Sequence, residues 1–125
     1  MQILKPERPQ TFKPYIGSED QFQISAAQYL DMRGLFWFHC PNGGLRNKGE
    51  AAKFKRMGVK PGVSDCLILE KRKGFAGFFI ELKVGTNKPT ESQLSFLSHA
   101  KKMGYKTLIT WSLDELIFEV ENYLS

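Results

Sequence analysis

Several features that mark large protein classes are missing from this 125-residue sequence. No apolar run approaches the roughly 20 residues that a membrane-spanning helix needs. Lys5 and Pro6 stand where an export signal would need an apolar stretch, so we expect an intracellular, cytoplasmic protein without a membrane partner. Only two cysteines, Cys40 and Cys66, occur, with no C-x-x-C motif, which predicts two reduced thiols and argues against a zinc site.

What the sequence does contain is typical of one packed domain. Hydrophobic residues make up 42% of it, including ten Phe and two Trp. The formal net charge of +5 favours a polyanionic partner, and its distribution is uneven. Residues 46–60 contain six basic residues and one acid, whereas residues 112–125 contain four acids and no base. We expect an extended arm over residues 1–17, where proline recurs, and a single domain over residues 18–125.

Three helices are predicted from capping signals. Ser18 with Gln21 and Thr90 with Gln93 have the spacing of a capping box, and Ser112 precedes the third helix. The residues expected to face the core are Phe22, Ala26, Tyr29 and Leu30 in the first helix, Leu94, Leu97 and Ala100 in the second, and Leu116, Ile117, Val120 and Leu124 in the third.

Four strands are predicted, over residues 35–40, 63–70, 75–83 and 106–111. Residues 71–74 are basic and end in glycine, so the second and third strands should form a hairpin. Both carry apolar residues on both faces, as central, covered strands do. Residues 41–60 are predicted to form a basic loop with a helical part at 50–57. The fold class is therefore α/β, with a mixed central β-sheet flanked by helices.

Three charged residues in the predicted hairpin need an explanation. Glu81 and Lys83 are two apart on one strand and share a face, and Asp65 begins the preceding strand. Charges embedded in apolar strands are costly unless they are paired or bind a metal. One interpretation is metal-assisted phosphodiester hydrolysis, in which carboxylates hold Mg²⁺ and a lysine assists the reaction. The alternative is a buried ion pair at a strand end.

Three segments together carry a family resemblance: Gly-Val-Ser-Asp at 62–65, Phe-Ile-Glu-Leu-Lys at 79–83 and Thr-Glu-Ser-Gln at 90–93. They resemble the PD-(D/E)XK nuclease superfamily, and within it the VRR-NUC branch, whose members include small stand-alone phage proteins. The resemblance extends from about residue 18 to residue 124. Ser64 departs from the pattern, since the family usually has proline before its first aspartate.

The resemblance implies a restriction-endonuclease-like fold and an endonuclease that uses Mg²⁺ or Mn²⁺. Matched positions imply that Asp65 and Glu81 bind the metal and Lys83 is catalytic. The resemblance also implies that Glu19 and the backbone carbonyl of Leu82 bind the metal. It implies that Gln93 is a catalytic residue. Glu19 precedes Phe22 by three residues and Ala26 by seven, so we expect it to point inward with the apolar stripe of its helix. Two alternatives remain open: Glu19 can serve the dipole of its helix, and Gln93 can serve only its capping box.

Six basic residues before Asp65 are candidate DNA-binding residues: Arg46, Lys48, Lys53, Lys55, Arg56 and Lys60. An ordinary solvated loop would explain each of them separately. The Asn-Gly-Gly sequence at 42–44 is either a backbone nest for a phosphate or a plain turn. His39 and His99 are interpreted as structural or surface residues.

The leading hypothesis is a metal-dependent DNA endonuclease of repair, recombination or replication, acting on branched or duplex DNA as a homodimer. A non-catalytic nucleic-acid-binding module with the same fold is the alternative. A restriction-type nuclease shares the chemistry, but no separate base-reading domain supports it. Residues 35–38 and the arm are candidate dimer contacts, and the alternatives are core packing for the first and a disordered tail for the second.

Overall fold

The computed structural model describes residues 7–9, 11–41 and 47–125 of the chain. Its helices and strands follow in the order α1 (Glu19–Met32), β1 (Trp37–His39), α2 (Lys48–Arg56), β2 (Cys66–Ile68), β3 (Phe78–Leu82), α3 (Glu91–Lys102), β4 (Lys106–Thr110) and α4 (Leu113–Leu124). Among these helices none has both the length and the apolar character to cross a membrane.

The four strands form one mixed sheet in the order β1-β2-β3-β4. The β1–β2 and β2–β3 pairs are antiparallel, and β3–β4 is parallel. The predicted hairpin is confirmed, since Cys66 pairs with Ile80 and Ile68 with Phe78 around a turn that includes Lys73. The predicted mixed sheet with central, covered β2 and β3 is confirmed as well.

Strand alternation divides the sheet into two faces. Even-numbered residues of the hairpin, among them Ile68, Phe78 and Ile80, are fully buried in one cluster with side chains of α1 and α4. On the other face Phe79 packs edge-on against Phe96 of α3, with ring centroids 5.1 Å apart. The hydrophobic core therefore lies under α1 and α4, and α3 covers the face of the odd-numbered residues.

The helix starts agree with the capping signals. Ser18 and Thr90 form complete capping boxes, and Ser112 accepts a hydrogen bond from the amide of Glu115. The core face predicted for α1 is confirmed. For α3 it is partly wrong, because Leu94 is 48% exposed while Leu97 and Ala100 are buried. A spacing of three residues falls short of a helical turn, so the stripe drifts by about 60° per step and leaves Leu94 outside the packed face.

Two other predictions differ from the structure. The strands are shorter than expected, with β2 reduced to three residues. Helix α2 begins two residues before the helical part predicted at 50–57, capped by Asn47, whose side chain accepts from the amide of Glu50. None of its residues is buried. Because the helix has no buried face, its sequence lacks a complete apolar stripe and shows no clear helical period.

The described part of the N-terminal arm contains no helix or strand and packs against its own chain. Tyr15 stacks on Phe22 with ring centroids 4.7 Å apart, and its amide donates to the carbonyl of Trp111 at 2.7 Å. Arg8 forms salt bridges with Glu115 and Glu119 of α4. The basic arm thus neutralises part of the acidic helix.

Candidate active site

The register of the hairpin brings the two candidate carboxylates together. Cys66 lies opposite Ile80, so continuing the pairing by one residue places Asp65 opposite Glu81. Both then project from the face that α3 covers. Oδ2 of Asp65 accepts a hydrogen bond from the amide of Leu82 at 2.7 Å, which fixes the carboxylate at the end of the strand. Because the family resemblance implies catalytic or metal-binding roles for Asp65, Glu81 and Lys83, we call these three residues the catalytic triplet.

Glu81 is the most constrained member of this triplet. Its side chain is only 2% exposed. Oε2 accepts from Nε2 of Gln93 at 3.1 Å and lies 3.5 Å from Nζ of Lys83, which is also buried. Burial, with the negative charge of Asp65 added to it, raises the pKa of Glu81 from 4.5 to about 8, although Lys83 partly opposes the shift. The pair of carboxylates therefore has too little positive charge nearby.

This electrostatic deficit fits a divalent cation. Carboxylate oxygens are the hard ligands that Mg²⁺ and Mn²⁺ prefer. A bound cation would offset the repulsion between Asp65 and Glu81 and favour the ionised form of both. The donor set thus agrees with the metal that the family resemblance implies.

Gln93 makes both a capping contact and a contact with Glu81, and its catalytic role stays a prediction. Its Oε1 accepts from the amide of Thr90 at 2.9 Å, closing the capping box. Its Nε2 donates to Glu81. One amide therefore ties the start of α3 to the catalytic triplet, and α3 cannot shift along the sheet without changing the orientation of Glu81.

Glu19 is less closely associated with the triplet. As the first residue of α1 it lines the same cleft as Asp65 and Glu81. The expectation that it points inward with the apolar stripe is wrong, because its side chain is exposed. Across residues 7–9, 11–41 and 47–125, no three His, Cys, Asp or Glu side chains cluster closely enough to hold a metal. Glu19 lies at the rim, and its metal role, like that of the Leu82 carbonyl, stays a prediction.

The cleft beside the triplet has a volume of about 550 Å³. Of the six predicted DNA-binding residues, Lys55 and Lys60 line it. Lys48, Lys53 and Arg56 are exposed on α2 without lining the cleft. Arg46 lies outside the described residues, as does the Asn-Gly-Gly sequence at 42–44. The structure therefore brings two of the six to the candidate active site.

Gly62, the first residue of the Gly-Val-Ser-Asp motif, lines the cleft as well. Its backbone has φ of +78°, and a Cβ added there would lie 2.2 Å from the carbonyl oxygen of Ser92 and 2.8 Å from the amide nitrogen of Gln93. Only glycine allows so close an approach to the first turn of α3. In the sequence, the feature that connects Gly62 with the site is its position three residues before Asp65.

The edge strand β1 and the residue after it contact the backbone carbonyl of Asp65. Its carbonyl oxygen accepts from the amide of Cys40 at 2.8 Å and lies 2.7 Å from Nδ1 of His39. His39 thus has the structural contact expected of it. Ser64, which takes the place of the usual proline, is 2% exposed, and its hydroxyl has no hydrogen-bond partner within the described part of the chain. Cys40 and Cys66 are both free thiols, as predicted.

Comparison with known proteins agrees with this geometry. No family model matches the chain, and no curated protein does. A solved structure described as a VRR_NUC domain protein is similar over 85% of this chain and 87% of that one, with 30% sequence identity and a TM-score of 0.72. The chain thus has a nuclease-type α/β fold. It belongs to the VRR-NUC family, as its motifs predicted.

Proposed function

We propose that this chain is a Mg²⁺- or Mn²⁺-dependent endonuclease that hydrolyses phosphodiester bonds in DNA. The observation that supports this most strongly is the cross-strand placement of Asp65 and Glu81, with Lys83 3.5 Å from Glu81. A protein that only binds a polyanion gains nothing from two adjacent carboxylates, since they repel phosphate. Their presence in the cleft favours a catalytic role.

The positions of the side chains suggest a separate role for each of them in the reaction. Asp65 and Glu81 would hold the cation, which when bound polarises the phosphate and lowers the pKa of water. Gln93 orients Glu81 through its hydrogen bond. Lys83 lies close enough to the carboxylates to donate to the attacking water or to a phosphate oxygen whose charge grows in the transition state.

DNA would enter between α2 and the start of α3. Lys55 and Lys60 line this path and can contact phosphates on either side of the scissile bond. Such contacts bind any sequence, so the chain would select DNA by its shape. This supports branched DNA as the preferred substrate, in repair, recombination or replication.

A homodimer would supply the second active site that cutting two strands requires. The edge strand β1 supports this part of the proposal, because Phe36 just before it and Phe38 within it are 72% and 47% exposed. The arm supports it less, since its described residues pack on their own chain. Light scattering should give about twice the chain mass of 14.3 kDa. A monomer that cuts DNA would contradict the dimer and leave the nuclease standing.

The deciding experiment is a panel of labelled single-stranded, duplex, flap, splayed and four-way DNAs. Purified protein is incubated with each in Mg²⁺, Mn²⁺ or EDTA. We expect metal-dependent cleavage that is fastest on branched DNA and absent in EDTA. Binding without cleavage in either metal would favour the alternative, a non-catalytic nucleic-acid-binding module with the same fold. Equal cleavage of every form would contradict the preference for branched DNA.

A further inference from the structure

A second cavity lies directly beside the cleft, along α3. We call it the α3 groove, and its lining consists of Pro61, Glu91, Ser92, Ser95, Phe96 and His99. Its volume is about 430 Å³. Pro61 and Ser92 also line the cleft, so the two cavities share a rim. A strand of DNA whose phosphate occupies the cleft would therefore have a neighbouring nucleotide within reach of the groove.

The chemistry of the α3 groove differs from that of the cleft. Among the described residues, no lysine or arginine lines it, and the carboxylate of Glu91 would repel a phosphate. Ser92, Ser95 and His99 offer hydroxyl and imidazole groups, and Phe96 offers an aromatic ring. Hydrogen-bonding groups arranged beside an aromatic surface suit the edge and face of a nucleobase, and a carboxylate can accept a hydrogen bond from a base amino group.

The wall between the two cavities is closely packed. Gly62 packs its backbone against the carbonyl of Ser92 so closely that no side chain fits between them. Phe96 is held from behind by Phe79, whose ring lies edge-on with centroids 5.1 Å apart. The distance from the catalytic triplet to the groove is thus set before any ligand binds, which lowers the entropic cost of binding there.

Resting on the nuclease function proposed above, we propose that the α3 groove binds one unpaired nucleobase of the DNA strand that is cut. A base inside a duplex must first leave its stack, which costs free energy, whereas a base at a flap or junction is already unpaired. The groove would then be the element that makes branched DNA a better substrate than linear duplex.

The test uses DNA with a junction between duplex and single strand, in which one base at a time is replaced by an abasic site. Binding is measured in EDTA, so no cleavage is needed. We expect loss of one base near the junction to weaken binding by wild-type protein about tenfold, the scale of one stacked base, while other positions have little effect. A flat profile across all positions would overturn the proposal.

Two variants on one helix provide the control. Ser95→Trp fills the groove, while Ser98→Trp adds the same side chain at an exposed position outside its lining. The position-specific loss should disappear in Ser95→Trp and persist in Ser98→Trp, and identical profiles in the two would overturn the proposal. Should Ser95→Trp not fold, His99→Ala replaces it, and a wild-type profile in that variant counts against the groove.

The experiments distinguish a failure of the proposed nuclease function from a failure of the proposed base site. Wild-type protein that shows the position-specific abasic effect but cuts nothing in Mg²⁺ or Mn²⁺ would remove the nuclease function and keep the base site. Cleavage combined with a flat abasic profile would remove only the base site. A 2-aminopurine placed at the sensitive position should change its fluorescence on binding to wild type and not to Ser95→Trp.

Discussion

The catalytic triplet and helix α2 both carry charges that suit a nuclease, but the fold holds them in opposite ways. Asp65 and Glu81 are placed by strand register, and Glu81 and Lys83 are almost completely buried. Helix α2 has no buried residue at all. A buried charge held by register acts at one place and has no substitute, whereas exposed lysines act together through their summed field. The two regions should therefore respond very differently to mutation.

The largest effect is expected in the catalytic triplet. Asp65→Ala, Glu81→Ala and Lys83→Ala should each lower the cleavage rate at least about 100-fold while leaving DNA binding in EDTA intact, because each removes a group that acts on the reacting phosphate or its metal. Asp114→Asn, an exposed acid on α4, is the control and should cleave normally. Cleavage by Asp65→Ala at the wild-type rate would show that catalysis lies elsewhere.

The second-largest effect on the cleavage rate is expected from a change in the packing of the loop at Gly62 on α3. Gly62→Ala should lower the cleavage rate about tenfold or more, because its Cβ would force Ser92 and Gln93 away and disturb the bond to Glu81. Gly58→Ala is a matched control: that glycine also has positive φ, at +102°, but a Cβ there meets no atom of the described residues within 4 Å.

Backbone strain alone should destabilise both glycine variants by about 1 kcal/mol. Only Gly62→Ala should also lose activity under conditions in which both proteins remain folded. Circular dichroism gives the folded fraction, and cleavage of branched DNA gives the rate. Equal activities would mean that the close approach at Gly62 is structural and does not position Gln93.

Much of the catalytic half of the molecule could be predicted from sequence because its signals are local. Capping boxes at Ser18 and Thr90 give helix starts, and a hairpin through residues 71–74 brings Asp65 near Glu81 whatever the surrounding fold. The sequence offers two interpretations of Gln93, a capping residue and a site residue, and the contacts that correspond to both are present. They are compatible because the oxygen and nitrogen of one amide face different partners.

The rest depends on tertiary contacts that no local pattern reveals. The exposure of Glu19 follows from where α1 meets the sheet, and the approach of Gly62 to Ser92 joins residues 30 positions apart. Helix α2 has no buried face to generate a strong period. The α3 groove requires the loop at Pro61 to lie beside α3, which the sequence does not specify.

A smaller effect concerns the folding stability of the metal-free protein. The folded-state pKa of Glu81 is raised from 4.5 to about 8 by burial and by Asp65, so the native state binds its proton more tightly than the unfolded chain does. This contribution to stability is fully present below pH 4.5 and is lost as the pH rises to about 8. Urea unfolding in EDTA should show Glu81→Gln gaining stability relative to wild type between pH 6 and 8.5. Glu91→Gln, at an exposed position on α3, should show no such gain. Parallel pH curves for all three proteins would show that neither burial nor the charge of Asp65 raises the pKa of Glu81.

The smallest difference is expected within the basic region itself. Lys55 and Lys60 line the cleft, whereas Lys48 and Lys53 are exposed on α2 away from it. If phosphates follow the cleft, replacing Lys55 and Lys60 with alanine should reduce the slope of log affinity against log salt by about 0.9 per lost contact on duplex DNA. The pair Lys48→Ala and Lys53→Ala removes the same net charge but fewer contacts, so its slope should stay closer to that of wild type. Fluorescence anisotropy in EDTA over a series of salt concentrations gives both slopes. Equal reductions would mean that the exposed face of α2 contacts DNA as fully as the cleft does, and the contrast between the two regions would then lie in burial alone.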